Sequence, residues 1–316
     1  MRILVTGGAG FLGSALANRL AGLDGGHTVR VLDDLSAGDS RRLDPKVLFT
    51  RGDVKDVPKL WTLLQGVDCV YHLAARVRVP ESIHYPSDYN DCNVGGTVAV
   101  MEAVRDTGVK RVVFVSSGAI YGEQAHQPIS ESHVPKPNSP YGVSKIAAEY
   151  YVSTLGVLYG IETVSLRVFN VYGPGQELPP SYPPAIPHLL KQTLTGGSLV
   201  IFGDGEQTRD FAFVDDVVDA LVAAATASEV NRAVINIGSG QEVSITDLAS
   251  RIARVTGKKV NLLYNRSQSG GVSRLVADVM LARKLLGWTP HTDLDEGLRL
   301  TIERDPRFRL QTDSEG

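Results

Sequence analysis

Gly7, Gly10 and Gly13 stand between an opening strand-like run, Arg2-Ile3-Leu4-Val5-Thr6, and a helical pattern over residues 11–21. This placement constrains the fold more than any other feature. A glycine turn that leaves a strand and opens a helix permits a tight reversal and the close approach of a pyrophosphate, whose charge then faces the helix N-terminus. The spacing is Gly-x-x-Gly-x-x-Gly rather than the Gly-x-Gly-x-x-Gly of many dehydrogenases. Asp33 and Asp34 close the second strand-like run. A carboxylate there accepts hydrogen bonds from the adenosine ribose hydroxyls and repels a 2′-phosphate, which favours NAD over NADP. Asp53 and Val54, after the third run, are placed to meet the adenine.

Further apolar runs at 29–32, 47–50, 69–73, 112–116 and 163–168 alternate with helical patterns at 59–64, 88–107 and 141–159. Continuous apolar strands separated by amphipathic helices imply a parallel sheet covered on both faces. The expected fold class is α/β: a doubly wound parallel (Rossmann) sheet with a smaller C-terminal substrate-binding lobe. After Val168 the character changes, with Pro174, Pro179, Pro180, Pro183, Pro184 and Pro187 in a loop-rich stretch. Helices are expected again at about 188–194, 215–225, 245–255, 280–286 and 294–304. The expected division is an NAD-binding domain at 1–168 with returning segments at about 208–240, a lobe at 169–207 and 241–308, and a flexible tail at 309–316.

The formal net charge of −3 and the lack of a long basic run argue against nucleic acid as a partner. Cys69 and Cys92 are the only cysteines, too few for a disulfide framework or a four-cysteine zinc site, and no metal is expected. Two thiols in apolar or helical surroundings suit a reducing cytoplasm. The N-terminal residues lack a basic segment followed by an apolar one, and no run of 18 apolar residues occurs. The expectation is a cytoplasmic protein with no membrane partner.

Tyr141 and Lys145 lie four residues apart and so share one face of a helix. A nearby ammonium favours phenolate over phenol, which makes a tyrosine a usable general base beside a nicotinamide. On solvated helices this spacing is common, so its weight comes from the glycine loop and from Asp33.

Several further segments complete a pattern: His72-Leu73-Ala74-Ala75, Asn93-Val94-Gly95-Gly96-Thr97, Val115-Ser116-Ser117-Gly118-Ala119-Ile120-Tyr121-Gly122, Arg167-Val168-Phe169-Asn170-Val171-Tyr172-Gly173-Pro174 and Arg209-Asp210-Phe211. With the glycine loop and the Tyr141 segment they resemble the extended short-chain dehydrogenase/reductase family. The resemblance runs from residue 3 to about 290 and is nearest to the nucleotide-sugar epimerase/dehydratase branch and its UDP-galactose 4-epimerases. It implies an NAD-dependent 4-epimerase of the UDP-glucose/UDP-galactose type, open also to N-acetyl forms, that oxidises C4 transiently through a 4-keto sugar.

By position, the resemblance makes Tyr141 the base, Lys145 the holder of the nicotinamide ribose, and Ser117 the partner of the reacting oxygen. Phe11, Leu12, Leu73, Ala74, Ala75, Asn93, Ser116 and Phe169 would join the glycines and acids around NAD. Asn170, Val200, Phe202 and Arg209 would hold the nucleotide sugar, and Arg266 and Arg274 compete for a second phosphate contact. Where sugar dehydratases carry an Asp-Glu pair, this chain has Gly118 and Ala119, so dehydration and decarboxylation are disfavoured. Gln176 stands where glucuronate epimerases tend to carry an arginine, and Leu275 where some relatives carry a bulky tyrosine. The family commonly dimerises through the helices expected at 88–107 and 141–159, so a homodimer is expected.

Overall fold

Ile3 and Val5 point to one side of the first strand and Leu4 to the other, and all three are buried. A strand buried on both faces needs a layer of helices on each side. The computed structural model describes residues 1–266 and 271–309. The expected tail beyond Arg309 and the 267–270 segment lie outside the described residues.

The strands are β1 (Arg2–Thr6), β2 (Thr28–Asp33), β3 (Leu48–Arg51), β4 (Cys69–His72), β5 (Arg111–Ser117), β6 (Glu162–Val168), β7 (Asn170–Tyr172), β8 (Leu199–Phe202), β9 (Thr208–Arg209), β10 (Phe211–Phe213), β11 (Ala233–Ile237), β12 (Val243–Ser244) and β13 (Leu262–Asn265). Seven of them form one parallel sheet in the order β11-β6-β5-β4-β1-β2-β3. The sheet is doubly wound, with β4 at the centre and β1 beside it, and the carboxyl ends of its strands are aligned along one edge. The pairs β7–β10, β9–β12 and β8–β13 form three small sheets in the second half.

The helices are α1 (Phe11–Gly22), α2 (Val57–Leu64), α3 (Val79–His84), α4 (Pro86–Tyr89), α5 (Gly96–Arg105), α6 (Pro140–Tyr159), α7 (Ala185–Leu194), α8 (Val214–Thr226), α9 (Ile245–Thr256), α10 (Met280–Leu286) and α11 (Leu294–Arg304). Leu16 and Leu20 of α1 pack with Val217 and Leu221 of α8 against Ile3 and Val5. Leu60 of α2, Val100 of α5, and Ala148 and Val152 of α6 pack on Leu4 from the opposite side. Each such fully buried aliphatic side chain contributes about 1.5–3 kcal/mol.

Helix α6 is delimited by local chemistry. The Ser139 hydroxyl accepts from Gly142 N, Pro140 occupies the first turn, and Gly160 ends the helix with φ of 70°. The single helix expected at 88–107 is not continuous. α4 runs into a π-helical turn, Asn90–Gly95, before α5 begins. Tertiary packing supplies the reason: Val54 lies so close to Gly96 that a Cβ there would sit 2.6 Å from Val54 Cγ1, and Asn93 is tied outward to Arg76. α3, absent from the expected elements, begins at Val79 with Pro80 in its first turn. Among the described residues no helix is long and apolar enough to cross a membrane.

Candidate active site and dinucleotide site

The glycine loop leaves β1 and enters α1 with no space to spare. Gly7 has φ of 69°, and a Cβ on it would lie 2.6 Å from Ala74 N. On Gly13 a Cβ would lie 2.2 Å from Gly7 O. Gly10 caps α1 with no side-chain hydrogen bond, so no side chain occupies the mouth of the helix. Asp33 holds the loop from the end of β2, accepting from Ala9 N at 2.9 Å and Leu35 N at 2.8 Å. Asp34 is exposed and accepts from Ser36 N. A bare helix N-terminus, a loop without room for side chains and a carboxylate one strand away fit a dinucleotide diphosphate and its ribose.

The other expected cofactor residues flank this loop in two groups. Phe11 and Leu12 are half-buried against the core of the α1 face. Leu73, Ala74 and Ala75 form a half-buried strip beyond β4. Asp53 accepts from Lys55 N, and Val54 is buried against Gly96, so Val54 faces the core more than a ligand. Phe169 is buried against Gly118. The Ser116 hydroxyl is buried without a hydrogen-bond partner among the described residues, a group suited to meeting the cofactor.

Ser117 ends β5 and Tyr141 opens α6, and the fold brings the Ser117 hydroxyl near enough to the Tyr141 phenol to favour its ionised form. Tyr141 is 8% exposed and Lys145 3%. The expectation that Lys145 depresses the Tyr141 pKa is not met in the chain alone. Burial pushes the phenol up, and the Ser117 contact opposes that only in part. Lys145 is itself lowered to about 8 by burial, with the nearby Cys92 and Glu149 acting in the opposite direction. Its ammonium lies 4.3 Å from the centre of the Phe114 ring.

Several residues that the sequence did not single out hold this trio. Ser82 Oγ of α3 accepts from Tyr141 N at 3.1 Å. Tyr89 meets the Tyr141 ring edge-on at 6.4 Å, and its hydroxyl donates within reach of Arg78 O and Glu81. Asn93, expected to line the cofactor, spends its amide on the protein: Oδ1 accepts from Arg76 N, and Nδ2 donates to Arg76 O and Ser144 Oγ. Ser144 in turn donates to Tyr141 O. Arg76 pairs with Glu81 and Asp88, and Arg78 with Glu177.

On the other side of the carboxyl edge, Asn170 donates to Asp210 O at 3.0 Å. Arg209 Nη1 donates to Thr208 O and Val272 O, both at 2.7 Å, and burial lowers its pKa. Asp210, fully buried, accepts from Ser239, Gly240 and Ala277 and fixes this corner. Val200 and Phe202 are exposed on one face of β8, with Leu263 of β13 beside them. Arg266 is exposed just past β13. Arg274 is held by Glu242 through two bonds of 2.6 Å, and the same carboxylate accepts from Thr208. Thr208 and Arg209 are successive strand residues facing opposite ways. The structure therefore does not bring Arg274 to Arg209.

A family model described as the NAD dependent epimerase/dehydratase family matches residues 3–238. The UDP-glucose 4-epimerase of Mycolicibacterium smegmatis is 38% identical over 310 residues, covering 96% of this chain and 98% of that protein. Among solved structures, UDP-glucose 4-epimerase of Thermotoga maritima with UDP-glucose superposes with a TM-score of 0.91 at 36% identity, covering 96% of this chain and 98% of that one. UDP-glucuronic acid 4-epimerase from Bacillus cereus, in complex with UDP-glucuronic acid and NAD, gives a TM-score of 0.88 at 34% identity with the same coverage.

Proposed function

The chain belongs to the NAD-dependent epimerase/dehydratase family, and from that premise we propose that it is a UDP-sugar 4-epimerase whose first substrates are UDP-glucose and UDP-galactose. The observation that carries this reading is the half-buried Ser117 near the buried Tyr141 and Lys145, with no carboxylate following Ser117. A Cβ on Gly118 would lie 3.1 Å from the Phe169 ring, so a longer side chain there would require that ring to give by a few tenths of an ångström.

When bound, NAD supplies a reversible hydride acceptor. Tyr141 takes the proton of the C4 hydroxyl, and Ser117 holds the same oxygen so that the carbonyl forms in a fixed place. Lys145 stabilises the phenolate that takes this proton, and the transfer leaves Tyr141 as the neutral phenol. The 4-keto sugar turns and recovers a proton from Tyr141 on the return step, so one proton leaves and one comes back. Arg209 and Asn170 hold the diphosphate end, and the exposed Val200 and Phe202 offer an apolar bed for the base. In this reading residues 169–207 and 241–308 act as the sugar-nucleotide lobe. Val143, Tyr150, Val157 and Leu158 leave an exposed apolar stripe on α6 that suits a homodimer.

Purified protein incubated with UDP-glucose, UDP-N-acetylglucosamine and UDP-glucuronate, with products separated by chromatography, tests the reading. Conversion of UDP-glucose to UDP-galactose without net NADH is expected. Conversion of the uronate alone would move the assignment to another sugar, and accumulation of NADH would replace epimerisation by net oxidation.

A further inference from the structure

We propose that His72 is a positioning residue which, through two hydroxyls, locks the π-helical turn carrying Asn93 against both the glycine loop and the helix of Tyr141 and Lys145. The inference rests on the reading of Tyr141 and Lys145 as the reacting pair.

The proton inventory leaves one arrangement. Thr97 Oγ1 lies 2.6 Å from the carbonyl oxygen of Asn93, which can only accept, so the Thr97 proton points there. His72 Nε2 lies 2.9 Å from the same Thr97 oxygen and must therefore be the donor. In a neutral ring Nδ1 then accepts, and Thr6 Oγ1, 2.7 Å away, donates to it. Thr6 Oγ1 also receives Ala74 N–H at 3.5 Å. The ring is neutral because burial, with help from the Lys145 charge, lowers its pKa to about 3. Each hydroxyl proton is committed in the same direction, so a single tautomer satisfies the whole chain.

The ends of this hydrogen-bond chain reach the elements that frame the proposed site. Thr6 is the last residue of β1 before Gly7, and Gly7 has no Cβ room against Ala74. Asn93 grips Arg76 with one end of its amide and Ser144 with the other, and Ser144 grips Tyr141 O. His72 is 1% exposed and packs 5.7 Å from the Phe114 ring on which Lys145 sits. It touches no expected substrate group itself. Its task is to keep loop, π-helical turn and α6 in register, which fixed catalytic geometry demands.

Thr97 offers the test, because valine keeps its shape and loses the hydroxyl, whereas serine keeps the hydroxyl and loses a buried methyl. For the NAD-loaded full chain, T97V is expected to lower kcat about tenfold with KM within about twofold, and T97S to stay within about threefold of wild type. Packing alone predicts the reverse order, so T97S falling as far as T97V or further overturns the proposal. The tautomer supplies a readout independent of turnover. In 15N-histidine spectra of the wild type, His72 is expected with protonated Nε2 and bare Nδ1 at pH 6 and pH 8. An Nδ1–H tautomer, or a charged ring, sinks the proposal even if every UDP-sugar assay fails. A wild type with the expected tautomer but no turnover refutes the epimerase reading, and the NAD retained by T97V against T97S then decides the clamp, with loss in T97V alone expected and equal retention overturning it.

Discussion

Lys145 holds its ammonium 4.3 Å from the centre of the Phe114 ring and is 3% exposed, so its charge is sheltered from water, and no carboxylate among the described residues is in hydrogen-bonding contact with it. Such a charge serves chemistry at the expense of stability. In the folded chain its pKa is lowered from 10.5 to about 8. Below pH 8 both folded and unfolded chains are charged and the penalty is complete. Between pH 8 and 10.5 only the unfolded chain holds the proton, so stability rises with pH and the penalty fades. K145M should abolish turnover yet stabilise the cofactor-free protein at pH 7 by up to roughly 3 kcal/mol, with the gain shrinking toward pH 10. Urea unfolding at the two pH values checks this, and a destabilised K145M at pH 7 would contradict it.

Tyr141 makes the complementary case. Burial raises its pKa and the Ser117 contact only moderates the rise, so the chain by itself does not hold a phenolate at neutral pH. A base that works near pH 7 then needs further positive charge from the bound nicotinamide. Difference titration of wild type against Y141F by ultraviolet absorbance should show no Tyr141 ionisation below pH 10 without NAD, and ionisation at lower pH with it. Y141F should lose on the order of a thousandfold in kcat while retaining NAD. Ionisation of Tyr141 near neutrality in the cofactor-free protein would refute the account.

Much of this site was legible in sequence because its parts are local. The glycine loop sits within one strand–turn–helix unit, Tyr141 and Lys145 lie within about one helical turn of each other, and Ser117, which the resemblance selected, is the last residue of β5. The rest depends on distant encounters. His72 meets Thr6 across 66 residues and Thr97 across 25, so neither its tautomer nor its partners can be read from its own neighbourhood. The π-helical turn at Asn90–Gly95 is likewise imposed by Val54 and Arg76, and periodicity alone read it as plain helix. Arg274 looked equivalent to Arg266 in the sequence, and only the fold shows the carboxylate of Glu242 that holds it.

Two glycines of the same loop should respond differently to alanine. On Gly13 the new Cβ meets backbone on two sides, Gly7 O at 2.2 Å and Gly8 Cα at 2.7 Å, whereas on Gly10 it meets only Gly7 O at 3.3 Å. Backbone cannot rotate aside, so G13A should cost about 1–3 kcal/mol and lose NAD. G10A should cost less than about 1 kcal/mol and yet lower NAD occupancy, because a methyl then stands where the diphosphate must approach. Thermal unfolding and the ratio of absorbance at 260 and 280 nm separate the two effects. Equal destabilisation by both substitutions would show that the loop serves folding in the same way at each position.

The two arginines of the second half provide the sharpest contrast. Arg209 is anchored by its own Nη1 bonds to Thr208 O and Val272 O, both 2.7 Å long, and burial makes it a dehydrated cation placed beside Asn170's partner Asp210. Arg274 is exposed and its guanidinium faces Glu242, which pairs with it on the Thr208 side. Engaging a phosphate would require Arg274 to leave that carboxylate, which cancels much of the gain. Charge-assisted bonds to a half-buried arginine are worth about 1.5–3 kcal/mol each, so R209M should weaken UDP binding by roughly tenfold to a hundredfold. R274M should change it by less than about threefold, within the range of an exposed ion pair. Calorimetric titration of UDP into the two NAD-loaded variants measures both, and an equal loss in R274M would place Arg274 on the diphosphate after all.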